Sequence, residues 1–161
     1  MKIGITGHQK LDDASVWPWV EAAMSRELDA AARPLVAVTS LAIGADQLLA
    51  RLVLERDGSV HAVLPFADIA RTLPAENVPT FNSIAGQAKV ETLDVAGTEE
   101  DAYLAAGKRI VDLADRMLAV WDGLPARGKG GTADIVAFAI ESGVPLVHIN
   151  PLDRTVKSHG R

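Results

Sequence analysis

Short apolar segments alternate with amphipathic segments along most of this chain, and this alternation constrains the fold more than any other feature. Each apolar segment has the length of a buried strand, and each amphipathic segment repeats its apolar residues at helical spacing. The strands are predicted at residues 2–6, 35–40, 60–64, 90–94, 117–121 and 146–149. Because parallel neighbours require crossover connections, six strands alternating with helices predict a mainly parallel, Rossmann-like α/β sheet with helices on both faces.

The helices are predicted between these strands, at residues 15–31, 45–56, 80–88, 99–113 and 132–142. Three consecutive acidic residues begin the helix at 99–113, where a negative charge suits the positive end of the helix dipole. The periodic pattern weakens over 66–89, which contains Pro74 and Pro79. We interpret that segment as an insertion over the rim of the sheet that includes one short helix.

The composition fits one globular domain. The chain has 161 residues, of which 48% are hydrophobic and 23% are charged, so it can bury a full core. We expect one nucleotide-binding domain over residues 1–151 and a polar, loose tail over 152–161. No apolar run reaches membrane-spanning length, and Met1 and Lys2 lead directly into a strand, so we expect a cytoplasmic protein without a membrane partner.

Several classes of site and partner are disfavoured by the residue inventory. The chain has no cysteine, which excludes disulfides and thiolate metal sites. The four histidines are far apart in sequence, so no metal site is expected, and no cofactor is predicted. The formal net charge of −5 argues against nucleic acid as a partner, because nucleic-acid-binding domains normally carry a basic face.

Three turns that contain glycine follow predicted strands: residues 7–10, 40–46 and 122–132. In open parallel sheets, ligands bind beyond the carboxyl ends of the strands, at the point where the winding direction reverses. We therefore expect these three turns to form the binding site.

The third turn contains the sequence GKGGTAD, between a strand and a helix. Glycines let backbone N–H groups approach an anion closely, and the first amides of the helix are unpaired. This pattern predicts a phosphate cradle, although a plain flexible turn is the alternative. Its members are a mobile cation, a hydroxyl at the helix start and three glycines: Lys129, Thr132, Gly128, Gly130 and Gly131.

Further candidate ligand-binding residues lie at the strand ends and in the other two turns: Thr6, Gly7, His8, Ser40, Gly44, Asp46, Asp122 and Asp134. Each has a structural alternative. Asp46 could contact ribose hydroxyls or cap its own helix, Asp134 could simply favour the helix dipole, and His8 could stabilise its turn. Trp121 is assigned to the core.

Five motifs in order resemble the superfamily that joins the DNA-processing protein DprA with the LOG phosphoribohydrolases, and especially its small stand-alone SLOG members. The motifs span about residues 3–150 and read TGHQ, SLAIGAD, VLPF, AYLAAGKRIVDLADRMLAVWDG and GKGGTAD. The resemblance implies that a nucleotide or nucleotide-derived ligand binds between the first and fifth strands, in a sensor or carrier. Homodimers are common among such proteins, so we expect a homodimer.

The resemblance also implies an alternative function, hydrolysis of the N-glycosidic bond of a nucleoside 5′-monophosphate. The phosphoribohydrolases read PGGxGTxxE, whereas Thr132 is followed here by Ala133, Asp134 and Ile135, so the catalytic glutamate is missing at its expected position. Whether this chain is an enzyme therefore stays open. Asp122 and Asp134 are the candidate catalytic residues.

Overall fold

The computed structural model describes residues 1–125 and 130–160. Within them, seven strands form one sheet in the spatial order β4-β3-β2-β1-β5-β6-β7. The first six are mutually parallel, and β7 is antiparallel to β6. The strands are β1 (Lys2–Gly7), β2 (Val36–Thr39), β3 (Ser59–Leu64), β4 (Lys89–Thr92), β5 (Arg116–Val120), β6 (Leu146–Asn150) and β7 (Thr155–His159).

Five α-helices connect the parallel strands of this described part: α1 (Trp17–Ala30), α2 (Ala45–Leu54), α3 (Val78–Ala85), α4 (Glu99–Leu113) and α5 (Thr132–Glu141). Local sequence explains where several of them begin. Pro18 lies in the first turn of α1, where its missing N–H costs nothing. At α4 the Thr98 hydroxyl accepts from the Asp101 amide, and the Asp101 carboxylate accepts from the Thr98 amide, which forms a capping box.

The sheet lies between two helical layers and buries a separate hydrophobic cluster on each face. Met24 of α1 and Leu49 of α2 are fully buried in one cluster. Ile110 of α4 and Ile135 of α5 are buried in the other. This arrangement confirms the predicted Rossmann-like α/β class with helices on both faces.

The winding of the sheet reverses at β1. The chain runs outward from β1 through β2 and β3 to β4, then returns along α4 to place β5 on the other side of β1. In register, Ile3 lies opposite Arg116 and Gly7 opposite Val120, so β1 and β5 end at the same level. A crevice is expected beyond these two carboxyl ends.

The predicted strand count of six and the predicted loose tail are wrong. Residues 155–159 form β7, which pairs with β6 from Asn150 opposite Thr155 to Leu146 opposite His159. The Asp153 carboxylate accepts hydrogen bonds from the Thr155 amide at 3.1 Å and hydroxyl at 2.6 Å, which fixes the reversal of the chain. The added strand covers backbone groups of β6 that would otherwise be an open sheet edge.

Within residues 1–125 and 130–160, no helix is both long and apolar enough to cross a bilayer.

Candidate functional site

A cleft of about 600 Å³ lies beyond the carboxyl ends of β1 and β5, a volume typical of small-molecule sites. Four segments of the described chain line it. They follow β1, follow β5, begin α5 and follow β6: Gly7, His8, Gln9, Lys10, Leu11, Asp12, Asp13, Val16, Trp121, Asp122, Leu124, Pro125, Gly131, Thr132, Ala133, Pro151, Leu152 and Arg154. The winding reversal therefore coincides with a cavity.

The turn after β1 forms one wall of the cleft and packs tightly on the helix behind it. A Cβ at Gly7 would lie 2.7 Å from the Cβ of Ala45 and 3.0 Å from the Cβ of Val120, so only glycine lets β1 and α2 approach this closely. The His8 amide donates to the Val120 carbonyl at 3.0 Å. This bond fixes the start of the turn beside β5.

His8 and Asp122 join the first wall to the segment after β5. The Asp122 amide donates to His8 Nε2 at 3.2 Å, so Nε2 is an acceptor in this arrangement. The same nitrogen lies 3.4 Å from Asp122 Oδ2, and Asp122 Oδ1 accepts from the Leu124 amide at 2.9 Å. Both side chains are partly exposed, 30% for His8 and 26% for Asp122. The pair could therefore exchange a proton with a bound ligand.

Trp121 lies at the edge of the core to which its sequence pattern assigns it: it packs against the hydrophobic cluster beneath α4 and α5 and also lines the cleft. It is half-buried and lines the cavity. Its indole Nε1 donates to the Leu124 carbonyl at 2.8 Å, and its ring centroid lies 4.9 Å from that of His148. The strand pattern could not reveal the contact with the cleft, because Trp121 directly follows the last residue of β5.

The start of α5 supplies backbone amides to the cleft. Gly131, Thr132 and Ala133 line it, and no residue among 1–125 and 130–160 accepts a hydrogen bond from their amides. Such amides at a helix start suit an anion. Gly128 and Lys129, the other predicted cradle members, lie outside the described residues.

Gly130 and Asp134 contact each other rather than the cleft. The Gly130 amide donates to Asp134 Oδ2 at 3.2 Å, so this predicted phosphate donor already has a protein acceptor. Gly130 has a φ of +77°, and a Cβ there would lie 2.6 Å from the Leu104 backbone nitrogen. The close contact with α4 therefore explains why residue 130 is glycine. Neither Gly130 nor Asp134 is among the residues that line the cleft.

The turn at 40–46 supports the cleft from behind instead of lining it. A Cβ at Gly44 would overlap the carbonyl oxygens of Gln9 and His8, so this turn packs directly beneath residues 8 and 9. Ser40 donates its amide to Asp46 Oδ2 at 3.2 Å. Thr6 is buried in β1 and, like these residues, is not among those lining the cleft.

Asp46 is buried, and its environment explains its ionisation. Burial raises the pKa of its carboxyl from 3.8 to about 7, against the lowering effect of hydrogen bonds from Thr39, Ala42 and Ser40. Because the Asp46 carboxyl is buried and bonded to its own turn, its role is better explained as capping of the helix and turn than as contact with ribose.

Sequence reasoning did not single out two exposed cations that line the cleft, Lys10 and Arg154. Lys10 lies within the predicted turn at 7–10, whereas no motif marks Arg154. Arg154 has a φ of +56°. Hydrogen bonds from Ser15 lower the pKa of the Asp13 carboxyl, and the charge of Arg154 lowers it further by a smaller amount. Among residues 1–125 and 130–160, no group of three or more histidine, aspartate or glutamate side chains is placed to hold a metal ion.

A second cleft of about 460 Å³ lies beyond β3 and β4. Its aromatic and cationic residues are already engaged. The Phe66 ring packs against Tyr103 at 5.6 Å, and Arg71 lies over Phe66 and forms ion pairs with Asp68 and Glu99. The first cleft, at the reversal of the sheet, is therefore the candidate site.

Comparisons with solved structures identify the fold. DprA from Helicobacter pylori, described for its single-stranded DNA binding mode, superposes with a TM-score of 0.66 at 18% identity over 92% of this chain. DprA from Streptococcus pneumoniae gives 0.67 at 18% identity over 91% of this chain. The chain has the DprA fold. It spans 64% and 49% of the length of these two DprA chains.

The structural genomics target TM1055 has the same fold, with a TM-score of 0.56 at 18% identity over 90% of this chain and 71% of that one. The sequence matches no family model and no curated protein. The likeness to DprA is thus confirmed for the fold.

The comparison also corrects the prediction about nucleic acid. The net charge of −5 argues against such a partner, yet a protein with the DprA fold is described as binding single-stranded DNA. That exclusion is wrong. Net charge describes the whole surface, whereas one cleft can hold a few nucleotides with local amides and cations.

Proposed function

We propose that the cleft between β1 and β5 binds a nucleotide or nucleotide-derived ligand and that the protein acts as a sensor or carrier of it. The observation that carries this proposal is the meeting of three elements in one cavity. The reversal of the sheet, the amides of Gly131, Thr132 and Ala133, and a partly exposed histidine all belong to the same cleft. Ligands of doubly wound sheets are expected in this position.

The phosphate is proposed to bind at the start of α5. Amides of a helix's first turn supply donors without a side chain, and the helix dipole adds a positive potential. Thr132 adds a hydroxyl, and Lys10 and Arg154 add two cations from other described segments. The Gly130 amide is not part of this proposal, because Asp134 accepts its hydrogen bond.

Calorimetric titration of nucleoside 5′-monophosphates into the protein tests this proposal. Gly131→Leu places a side chain in front of the α5 amides and is expected to abolish binding. Ser142→Leu is the matched control, because Ser142 is exposed at the opposite end of the same helix and its variant should bind normally. Absence of binding by the unaltered protein, or equal binding by both variants, would refute the proposal.

Single-stranded DNA is a second candidate ligand, favoured by the DprA fold and the stated DNA binding of one such protein. The cleft would then hold one nucleotide of the strand together with the phosphates on both sides of it. Lys10 and Arg154 are the lysine and arginine side chains among its described lining residues. Neutralising two phosphates predicts a slope of log affinity against log salt of about −1.4. Fluorescence anisotropy of a labelled oligothymidylate over a salt series measures this slope.

Hydrolysis of the N-glycosidic bond is the alternative, and the contact between His8 and Asp122 in the cleft favours it. Water would attack the sugar C1′ as the bond from C1′ to the base nitrogen breaks. His8 Nε2 would release the Asp122 amide, accept a proton from the water and pass it to the departing base nitrogen, and Asp122 would stabilise the positive charge on the sugar. Asp134 is a weaker candidate, because its carboxylate is bonded to Gly130.

Release of free base and ribose 5-phosphate from nucleoside monophosphates tests hydrolysis. Asp122→Asn keeps an oxygen for the Leu124 amide and is expected to lower the rate about 100-fold or more. Asp134→Asn should leave it within about threefold. No release would leave binding without this chemistry, and release that survives Asp122→Asn would overturn the role given to Asp122.

A further inference from the structure

Two exposed hydrophobic side chains lie on the rim of the same cleft. Leu124 is 54% exposed and Leu152 is 74% exposed, and both line the cavity beyond β1 and β5. They come from different segments, one after β5 and one after β6. Single exposed leucines are ordinary, but two that converge on one cavity suggest an apolar contact for its ligand.

Trp121 lies in the same part of the cleft and is held in place by its neighbours. Its Nε1 donates to the Leu124 carbonyl at 2.8 Å. Its ring lies 4.9 Å from the His148 ring at an angle of 34°, and His148 Nε2 lies 2.7 Å from the Trp121 carbonyl oxygen. Since its N–H donor is already satisfied, the indole can offer a ligand only an apolar, aromatic surface.

The remaining walls determine which ligand fits that surface. Asp12, Asp13 and Asp122 also line the cleft, so a purely hydrocarbon ligand would remove water from charged carboxylates without offering them a hydrogen bond. The amides at the start of α5 favour an anion in the same cavity. The occupant must therefore combine a flat, mainly apolar group with a polar, anionic part. A nucleobase attached to a phosphorylated sugar has this composition.

We propose that Trp121, Leu124 and Leu152 form a base-stacking subsite. It would hold the base while the start of α5 holds the phosphate. This inference rests on the proposed nucleotide binding and adds to it the residues that contact the base. Stacking on an aromatic ring tolerates every base because every base has a π face. The subsite therefore selects for the presence of a base and discriminates weakly among bases.

Three probes test the subsite by calorimetry: ribose 5-phosphate, nucleoside 5′-monophosphates and a 5′-phosphorylated oligothymidylate. Trp121→Ala and Leu152→Ser are expected to weaken nucleoside monophosphate binding about tenfold. They should leave ribose 5-phosphate binding unchanged. Leu152 is mostly exposed, so Leu152→Ser is expected to fold normally and keeps the test valid even where Trp121→Ala fails to fold. Val156→Ser, at an exposed valine outside the cleft, is the matched control and should bind all three probes normally.

Fluorescence supplies a second measurement. The chain has three tryptophans, and stacking of a base should quench the one at 121, so the quenching should disappear in Trp121→Phe while binding persists. The oligothymidylate distinguishes a free nucleotide from the end of a strand: tighter binding than thymidine monophosphate indicates a strand. If the variants lose ribose 5-phosphate binding as much as nucleotide binding, or if neither variant loses nucleotide binding, the proposed base-stacking subsite is overturned while the proposed nucleotide binding stands. No binding of any probe by the unaltered protein would overturn the proposed function as well.

Discussion

Gly44→Ala is expected to destabilise the protein strongly, because the structure leaves no room for a methyl group at that position. Gly44 precedes α2 with φ 82° and ψ −126°, a conformation that costs an L residue about 1–3 kcal/mol. A Cβ there would overlap the Gln9 carbonyl oxygen and lie 2.6 Å from that of His8. Backbone atoms cannot rotate away as side chains do, so the total loss should be about 3 kcal/mol or more.

Gly143→Ala provides the control for this prediction. Gly143 has a φ of +73°, but no atom lies within 4 Å of the position that a Cβ would take, so its variant bears only the conformational cost of about 1–2 kcal/mol. Urea denaturation followed by circular dichroism gives both free energies of unfolding. Gly44→Ala should lose at least about 1 kcal/mol more than the control. Equal losses would refute the claim that the 40–46 turn packs tightly beneath residues 8 and 9.

Two further changes test the electrostatics and the helix start. Burial raises the Asp46 pKa from 3.8 to about 7, so the unfolded chain releases this proton at lower pH than the folded protein, and stability falls as pH rises from about 4 to 7. Asp46→Asn should remove about 3 kcal/mol of the stability difference between about pH 4.5 and pH 8, and identical pH profiles would contradict this. Thr98→Ala removes the side-chain cap of α4 and should cost about 1 kcal/mol in urea denaturation; no change would show that the capping box contributes nothing.

The elements of the fold were predictable because their signals are local. The helix predicted at 99–113 has those bounds in α4 (Glu99–Leu113), since an acidic first turn and the Thr98 cap mark its start. The strands β2, β3 and β5 are mostly buried on both faces and are largely apolar, as central parallel strands are. β7 was missed because its residues, among them Lys157 and Ser158, are mostly polar and exposed on both faces of the sheet. Its pairing with β6 depends on a reversal of the chain that no apolar pattern records.

The site was only partly predictable. Gly7, His8, Asp122, Gly131 and Thr132 lie in one cleft, because strand ends at a winding reversal converge whatever their side chains. The 40–46 turn has the same sequence character, but it packs behind the cleft, and no sequence pattern distinguishes lining a cavity from supporting it. Trp121, Lys10, Leu152 and Arg154 enter the cleft through tertiary contacts. Their ligand-binding roles, like the expected homodimer, stay predictions.

A backbone amide chemical-shift titration with a nucleoside 5′-monophosphate tests the central claim most directly. The account predicts the largest shifts at the amides of Gly131, Thr132 and Ala133, together with the indole N–H of Trp121. Amides around Arg71, at the second cleft, should not move. Shifts concentrated at that second cleft, or no shift at the start of α5 at saturating ligand, would contradict a phosphate site between β1 and β5.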